Sequence, residues 1–320
     1  MLKVSRWLGL VMAALALNPA QANEAFPKRT VTVIVPYAAG GVTDLFARTL
    51  GNKLTKMWGQ PVVVDNRAGA GTIIGTQAVA RAAADGHTLL FTSYAYTSNP
   101  VLRPNLPYSA SDFRPVALLG SSYSVLLVTN RLKGVSLQEL LAQAKAKPGH
   151  LKLASSGPAS SPHIGAELFA NQAGISFTHV PYKGQGPAMN DLMAGIVDGM
   201  FDGMSSYGQV QSGRVAALAI ASNQRHPGAP EIPTFKELGM DFISGTWFGM
   251  LAPAGTPDKV VEKINADFRQ ALTDPEVKAQ IGKTGLTVTA STPEAFAQFL
   301  NQEERKLRHL VQQGVRIELQ

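Results

Sequence analysis

The sequence contains no cysteine and, beyond its N-terminal region, no apolar run long enough to cross a membrane. Without cysteine there is no disulfide, no thiolate metal ligand and no cysteine nucleophile. The six histidines show neither H-E-x-x-H nor another metal-binding spacing, so no metal and no cofactor is expected. Lysine and arginine exceed the acids by seven but are scattered, which argues against nucleic-acid binding.

The N-terminal region has the pattern of a secretory signal. Lys3 and Arg6 precede the apolar run Trp7–Leu17, and the small residues Ala20-Gln21-Ala22 follow it. A charged start, a short apolar run and an A-x-A site are typical of a signal that is removed. We expect residues 1–22 to be cleaved off after about Ala22, which lowers the net charge from +7 to +5. An exported chain without disulfides indicates a bacterial periplasm.

The segment Val31–Leu50 predicts a strand, a glycine turn and a helix that begins near Gly41 to Asp44. The first N–H groups of a helix have no partner inside the helix, and the helix dipole adds about half a positive charge there. Glycine lets a ligand approach the backbone closely. The segment therefore predicts an anion-binding site, with an ordinary strand-to-helix turn as the alternative.

Further strands alternate with helices along the chain, which predicts an α/β fold with right-handed crossovers and a parallel sheet. The predicted strands lie at residues 61–65, 88–91, 151–155, 177–182, 199–202 and 215–222. Polar loops are predicted after them, including residues 92–99. Ligands of open α/β sheets bind at such carboxyl ends.

Two crossings divide the predicted fold. The apolar run from Phe113 to Asn130 is interrupted at residues 121–124, and a later strand at residues 244–252 returns toward the first sheet. We therefore expect domain 1 to comprise residues 23–121 plus 246–320, and domain 2 to comprise residues 122–245. A hinged pair of lobes commonly binds a small molecule in the cleft between them.

Three segments together resemble the periplasmic solute receptors of tripartite tricarboxylate transporters, also called Bug receptors. They are PYAAGGVTDLFAR (36–48), VVVDNRAGAGTIIGTQAVARAAADGHTLL (62–90) and HVPYKGQGPAMNDLMAGIVDGMF (179–201). The likeness runs along essentially the whole mature chain. It implies a type II periplasmic binding protein, in which two α/β lobes close over a small carboxylate. It also implies transient contact with membrane transporter subunits and no enzymatic activity; we expect a monomer.

The resemblance also suggests where the ligand binds. The first-loop motif of the family falls on residues 39–44, with Ala39 and Val42 in place of the usual proline and serine. Backbone N–H groups and Thr43 would then hold the anion. The serine-rich loop at residues 155–163 would face it from the second lobe. The candidate ligand-binding residues are Gly40, Gly41, Thr43, Asp44, Ser93, Tyr94, Ser160, Ser161, His163 and Asp202.

Several of these residues have a second interpretation. Ser161 fits a plain helix cap, His163 a solvated side chain, and Asp44 a partner for the N–H groups of its own loop. Asp202 is interpreted as selecting a positively charged or hydroxylated end of the ligand. Tyr94, with its neighbour at residue 96, suggests an aromatic pocket wall.

Two other function classes remain open from the sequence. A ligand sensor for a signalling protein would use the same cleft. An exported hydrolase would need a lone serine with His163, although no G-x-S-x-G occurs. A dinucleotide site is not expected, because the glycines at 69, 71 and 75 have the wrong spacing. The ligand itself stays open among dicarboxylates, tricarboxylates, amino acids and aromatic acids, with the tyrosines favouring a flat acid.

Overall fold

Two β-sheets, each packed against helices, organise the part of the chain that the computed structural model describes, residues 26–319. The predicted export signal, residues 1–22, lies outside this range. The strands of residues 26–319 are β1 Val31–Val35, β2 Val62–Asn66, β3 Thr88–Ser93, β4 Phe113–Tyr123, β5 Val125–Thr129, β6 Lys152–Ser155, β7 Thr178–Pro181, β8 Gly199–Asp202, β9 Val215–Ile220, β10 Gly245–Pro253 and β11 Thr287–Val288.

The helices lie between and after these strands. Within residues 26–319 they are α1 Val42–Trp58, α2 Ile73–Ala80, α3 Ala95–Leu102, α4 Leu137–Ala146, α5 Ser161–Ala173, α6 Gln185–Met193, α7 Tyr207–Gln211, α8 Asp258–Thr273, α9 Pro275–Gly282 and α10 Pro293–Gln312. Side-chain caps mark several of these starts. Ser136 caps α4, Asp274 caps α9 and Thr292 caps α10, each by accepting a hydrogen bond from a first-turn N–H.

Both sheets are mixed, and the predicted parallel pairing is found among the strands that alternate with helices. The first sheet has the order β11-β4-β10-β3-β1-β2, and the second has the order β7-β6-β8-β5-β9. Strands joined by a crossover helix are parallel, as in β2-β1-β3 and β7-β6-β8. The strands β4, β5, β9 and β10 pair antiparallel, because they carry the chain between the sheets and need no crossover helix.

The chain passes between the two sheets at two adjacent places. Only Ser124 separates β4 from β5, and the return runs from the end of β9 to the start of β10. The Ser124 N–H donates to the carbonyl of Ser244 at 2.9 Å, and the Ala221 N–H donates to the carbonyl of Ser124 at 2.7 Å. The two lobes and the two hydrogen-bonded crossings between them form a two-lobed α/β fold, as the sequence predicted.

Each lobe has its own apolar core around a group of aromatic rings. In the first lobe, Phe46 packs edge-to-face on Phe91 and Phe248, which come from one helix and two strands. In the second lobe, Phe169 packs edge-to-face on Phe201. It also packs on Phe235 and Phe242, which lie in the segment after β9. Such pairs contribute beyond the burial of their area, so each lobe is stabilised independently of the cleft.

Two local predictions are wrong. The polar residues Thr92–Asn99 do not form a loop, because β3 continues to Ser93 and α3 follows. Their polar groups are bonded inside the protein, as when Asn99 Nδ2 donates to the carbonyl of Gly71 at 2.8 Å. The predicted cap Ser161 is instead the first residue of α5, and Ser160 holds the cap position. No helix within residues 26–319 has the length and apolarity needed to cross a membrane.

The close packing of α10 on the first sheet yields a stability prediction. A Cβ on Gly249 of β10 would lie 2.2 Å from Cζ of the buried Phe296. Gly249→Ala should therefore lower the free energy of unfolding in urea by roughly 1–3 kcal/mol through overpacking. As a matched control, Gly208→Ala in α7 meets nothing within 4 Å and should be neutral or stabilising. Equal effects of the two substitutions would contradict this packing.

Candidate functional site

A small cavity of about 40 Å³ lies between the two lobes. The first lobe contributes the loop after β1, the start of α1 and the end of β3. The second lobe contributes the loop after β6, the starts of α5 and α6, and the end of β8, while the hinge strand β10 forms the remaining wall. The lining residues are Tyr37, Ala38, Gly41, Val42, Thr43, Ser93, Ser156, Ser160, Ser161, Pro162, Gln185, Asp202, Thr246 and Phe248.

The lobes touch across this cavity, so the structure is a closed form. The Ala38 N–H donates to the carbonyl of Lys183 at 2.8 Å, and the Val42 N–H donates to Oε1 of Gln185 at 2.6 Å. The hydroxyl of Ser98 donates to the carbonyl of Ala159. Each of these hydrogen bonds joins a residue of the first lobe to a residue of the second.

The first loop is held in shape by Asp44. Its carboxylate accepts from the Gly40 N–H at 3.0 Å and lies 2.9 Å from Nε of Arg48. Burial opposes ionisation of Asp44, but Arg48 and the Gly40 N–H outweigh it and lower the pKa of the carboxyl. Gly40 has φ +88, in the left-handed region that favours glycine. Asp44 and Gly40 thus shape the turn from behind, and neither lines the cavity.

The aromatic wall of the cavity comes from Tyr37 rather than Tyr94. Tyr37 directly follows Pro36 at the end of β1, and burial raises the pKa of its hydroxyl, so it stays a neutral group. Tyr94 turns toward a separate cavity lined by Trp247 and Phe299, because α3 begins right after β3. The sequence signal for Tyr37 was available, since the residue stands between the predicted strand and its glycine turn.

His163 lies behind the second-lobe loop and is fully buried. Its Nδ1 accepts from the Ala159 N–H at 3.0 Å, and Nε2 lies 3.3 Å from Oε1 of Glu167. The ring stacks on His179 with centroids 3.9 Å apart, and Nε2 of His179 lies 2.7 Å from the hydroxyl of Ser155. His163 is therefore a positioning residue for the loop in this closed form, neither solvated nor directed into the cavity.

Asp202 ends β8 and is buried at the cavity wall. Its carboxyl group accepts from the Gly203 N–H at 2.8 Å, and from the Ser206 hydroxyl and Gln185 Nε2 at 2.5 Å each. Burial raises the pKa of Asp202, although these three donors act in the opposite direction. The carboxyl group faces the cavity and accepts three hydrogen bonds, but its burial is unfavourable for the charged form.

Gln185 lines the cavity, and the sequence reasoning did not single it out. It is the first residue of α6 and extends from the second lobe to the N-terminus of α1 in the first. Its amide nitrogen also lies 3.2 Å from the hydroxyl of Ser205. The available signal was its place at the end of the segment after β7, where a helix begins at the carboxyl edge of the sheet.

The structure brings six of the ten candidate residues to the cavity and leaves four outside its lining. The six are Gly41, Thr43, Ser93, Ser160, Ser161 and Asp202, and the four are Gly40, Asp44, Tyr94 and His163. Ser93 bonds Thr246 of the hinge strand at 2.8 Å between hydroxyl oxygens. Among residues 26–319, no group of three His, Asp or Glu side chains is placed to hold a metal ion.

Two α/β lobes, joined at a double crossing and closed over a cavity, are the architecture of a two-lobed solute-binding receptor. Residues 46–315 match the model of the tripartite tricarboxylate transporter family receptor. The chain belongs to this family. This confirms the resemblance found in the sequence, and it confirms a periplasmic-type binding protein rather than an enzyme.

Individual relatives show the same similarity. BugT of Bordetella pertussis (strain Tohama I) is 37% identical over 314 residues, spanning 96% of this chain and 95% of BugT. The periplasmic binding protein BugD has a TM-score of 0.86 and 34% identity, covering 91% of this chain and 99% of BugD. MatC from Rhodopseudomonas palustris, solved with bound malate, has a TM-score of 0.85 and 34% identity, covering 89% of this chain and 100% of MatC.

The stacked histidines predict an acid-sensitive stability. Burial and the neighbouring His163 lower the pKa of His179 from 6.5 to about 3, so the folded protein keeps this ring neutral. On acidification, His179 binds a proton in the unfolded chain before it does so in the folded protein. The free energy of unfolding is therefore highest above pH 6.5 and falls below it, by at most about 1.4 kcal/mol per pH unit.

The measurement is the urea unfolding free energy between pH 6.5 and 5. His179→Asn should flatten this dependence, whatever its effect at pH 7, because it removes the titrating ring. The exposed His150 provides the control, and His150→Asn should retain the slope of the unsubstituted protein. Identical slopes for the two variants would show that His179 is not the responsible group.

Proposed function

We propose that this receptor captures a small carboxylate in the interlobe cleft and delivers it to a tripartite tricarboxylate-type membrane transporter. It acts as a monomer in the periplasm after cleavage near Ala22. The lobes correspond to domain 1, residues 23–121 plus 246–320, and domain 2, residues 122–245. The bound malate of MatC supports a carboxylate as the ligand class.

The proposed ligand class rests on one observation, which is that three helices begin at the cavity. The first residues of α1, α5 and α6 are Val42, Ser161 and Gln185, and all three line it. Each helix N-terminus offers unpaired N–H groups and about half a positive charge. Among the described residues that line the cavity, none is a lysine or an arginine. An anion here is recognised by backbone dipoles and hydroxyl groups, which suits a small carboxylate.

Closure of the lobes completes the site. The α1 N-terminus belongs to the first lobe, whereas the starts of α5 and α6 belong to the second, so an anion meets all three only when the lobes are together. Excluding water then strengthens each hydrogen bond to the anion. A ligand that binds the closed form more tightly than the open form shifts the protein toward the closed form. The transporter then recognises the closed form.

A thermal-shift screen tests the ligand class. We expect dicarboxylates such as malate, succinate and adipate to raise the melting temperature, whereas the neutral diamide of malate should not. A ligand at one hundred times its dissociation constant adds about 2.7 kcal/mol to the stability. A panel in which the diamide stabilises as well as the acids would contradict anion recognition.

The same screen locates the site. A Cβ on Gly41 would lie 3.2 Å from Cβ of Gln185, so Gly41→Leu should hold the lobes apart and abolish the shift. Gly208→Leu, at a position with nothing within 4 Å of the added carbon, is the matched control and should retain it. An undiminished shift for Gly41→Leu would remove the first loop from the binding site.

A further inference from the structure

The side chain of Gln185 bridges two groups that a bound ligand would be expected to use. Its carbonyl oxygen accepts from the Val42 N–H at 2.6 Å, at the N-terminus of α1. Its amide nitrogen lies 2.5 Å from Oδ2 of Asp202, on the other wall of the cavity. One carboxamide thus pairs the anion-binding end of a first-lobe helix with a buried acid of the second lobe.

The carboxamide has a defined chemical pattern, an acceptor and a donor close together on one group. A carboxylate with a hydroxyl or ammonium group on the adjacent carbon has the same pattern. Its carboxylate oxygen would accept from the Val42 N–H, and its hydroxyl or ammonium group would donate to Asp202. A carboxylic acid without such a hydroxyl or ammonium group could still bind the N-terminus of α1, but Asp202 would lose one of its hydrogen bonds.

We propose that Gln185 is an internal surrogate for an α-hydroxy or α-amino acid, which must displace its carboxamide from Val42 and Asp202 to bind. This inference rests on the proposed carboxylate receptor and names the ligand class of the same site. Gln185 thereby sets both the preference for the α-substituted acid and the threshold affinity that a ligand must exceed.

Displacement is favourable for a charged ligand. A carboxylate forms charge-assisted hydrogen bonds that are roughly twice as strong as those of a neutral carboxamide, and the dipole of α1 adds to them. Asp202 keeps the Gly203 N–H and the Ser206 hydroxyl as donors while the third partner is exchanged. Gln185 reaches the site through a flexible side chain, so it leaves by rotation without unwinding α6.

The Gln185 contact also favours the closed form in the absence of a ligand, although less strongly than a charged ligand does. The Gln185–Val42 hydrogen bond joins the two lobes and is one of the contacts across the cleft. Removing it should shift the ligand-free protein toward an open form. A competing contact of ordinary hydrogen-bond strength weakens the apparent affinity of a ligand roughly fivefold.

The first experiment is small-angle scattering of the ligand-free protein. Gln185→Ala should have a larger radius of gyration than the unsubstituted protein, and Gln185→Ser should behave in the same way. Gln172→Ala is the matched control, because Gln172 is an exposed glutamine of the second lobe that bonds Asp241 away from the cleft. A radius of gyration unchanged by both Gln185 substitutions would overturn the proposal.

The second experiment is calorimetric titration with malate and succinate, which differ by one α-hydroxyl group. The unsubstituted protein should bind malate more tightly, and Gln185→Ala should bind malate roughly fivefold more tightly still. Adding Asp202→Ala to Gln185→Ala removes the acceptor for the α-hydroxyl group and should abolish the preference for malate. Weaker malate binding by Gln185→Ala would show that Gln185 holds the ligand directly, and equal binding of the two acids would refute the α-substituent site.

The two experiments separate this inference from the proposed function. Acid binding together with unchanged scattering would refute the surrogate role alone. Absence of binding by any carboxylate in the panel, in both the unsubstituted protein and Gln185→Ala, would contradict the receptor function and the surrogate role together.

Discussion

The convergence of three helix N-termini on one cavity is the constraint on which the rest of the structure depends. Unpaired N–H groups and aligned dipoles at one point are unfavourable unless negative or electron-rich groups meet them. The chain meets this need in the closed form with its own groups, chiefly Asp44 at the first loop and Gln185 across the cleft. The same requirement favours a small anion in this cavity, because a carboxylate satisfies such groups better than a carboxamide does.

The two-sheet architecture makes that convergence reversible. Helices α1, α5 and α6 each follow a strand at the carboxyl edge of its sheet, so the fold fixes their starts at the cleft. The sheets belong to different lobes, and within residues 26–319 the backbone passes between them at Ser124 and between β9 and β10. Opening the hinge separates the helix ends from each other without disturbing either aromatic core. Stability and binding are therefore carried by different parts of the molecule.

Local patterns could be predicted from the sequence, whereas contacts between distant segments could not. The strand, turn and helix around Gly41 follow from neighbouring residues, and so do the starts of the C-terminal helices. The role of Gln185 depends on Val42, 143 residues away in the chain. His163 of α5 was predicted in the cavity, but its burial depends on stacking with His179 on strand β7. Tyr94 was misplaced because tertiary hydrogen bonds stabilise a helix where the polar sequence suggested a loop.

A crystal structure of the protein with malate tests the central claim most directly. The account predicts closed lobes, a malate carboxylate oxygen within hydrogen-bond distance of the Val42 N–H, and the α-hydroxyl donating to Asp202. It also predicts that the Gln185 side chain has rotated away from both groups. Malate bound elsewhere, or bound in the cleft while Gln185 still accepts from Val42, would contradict it.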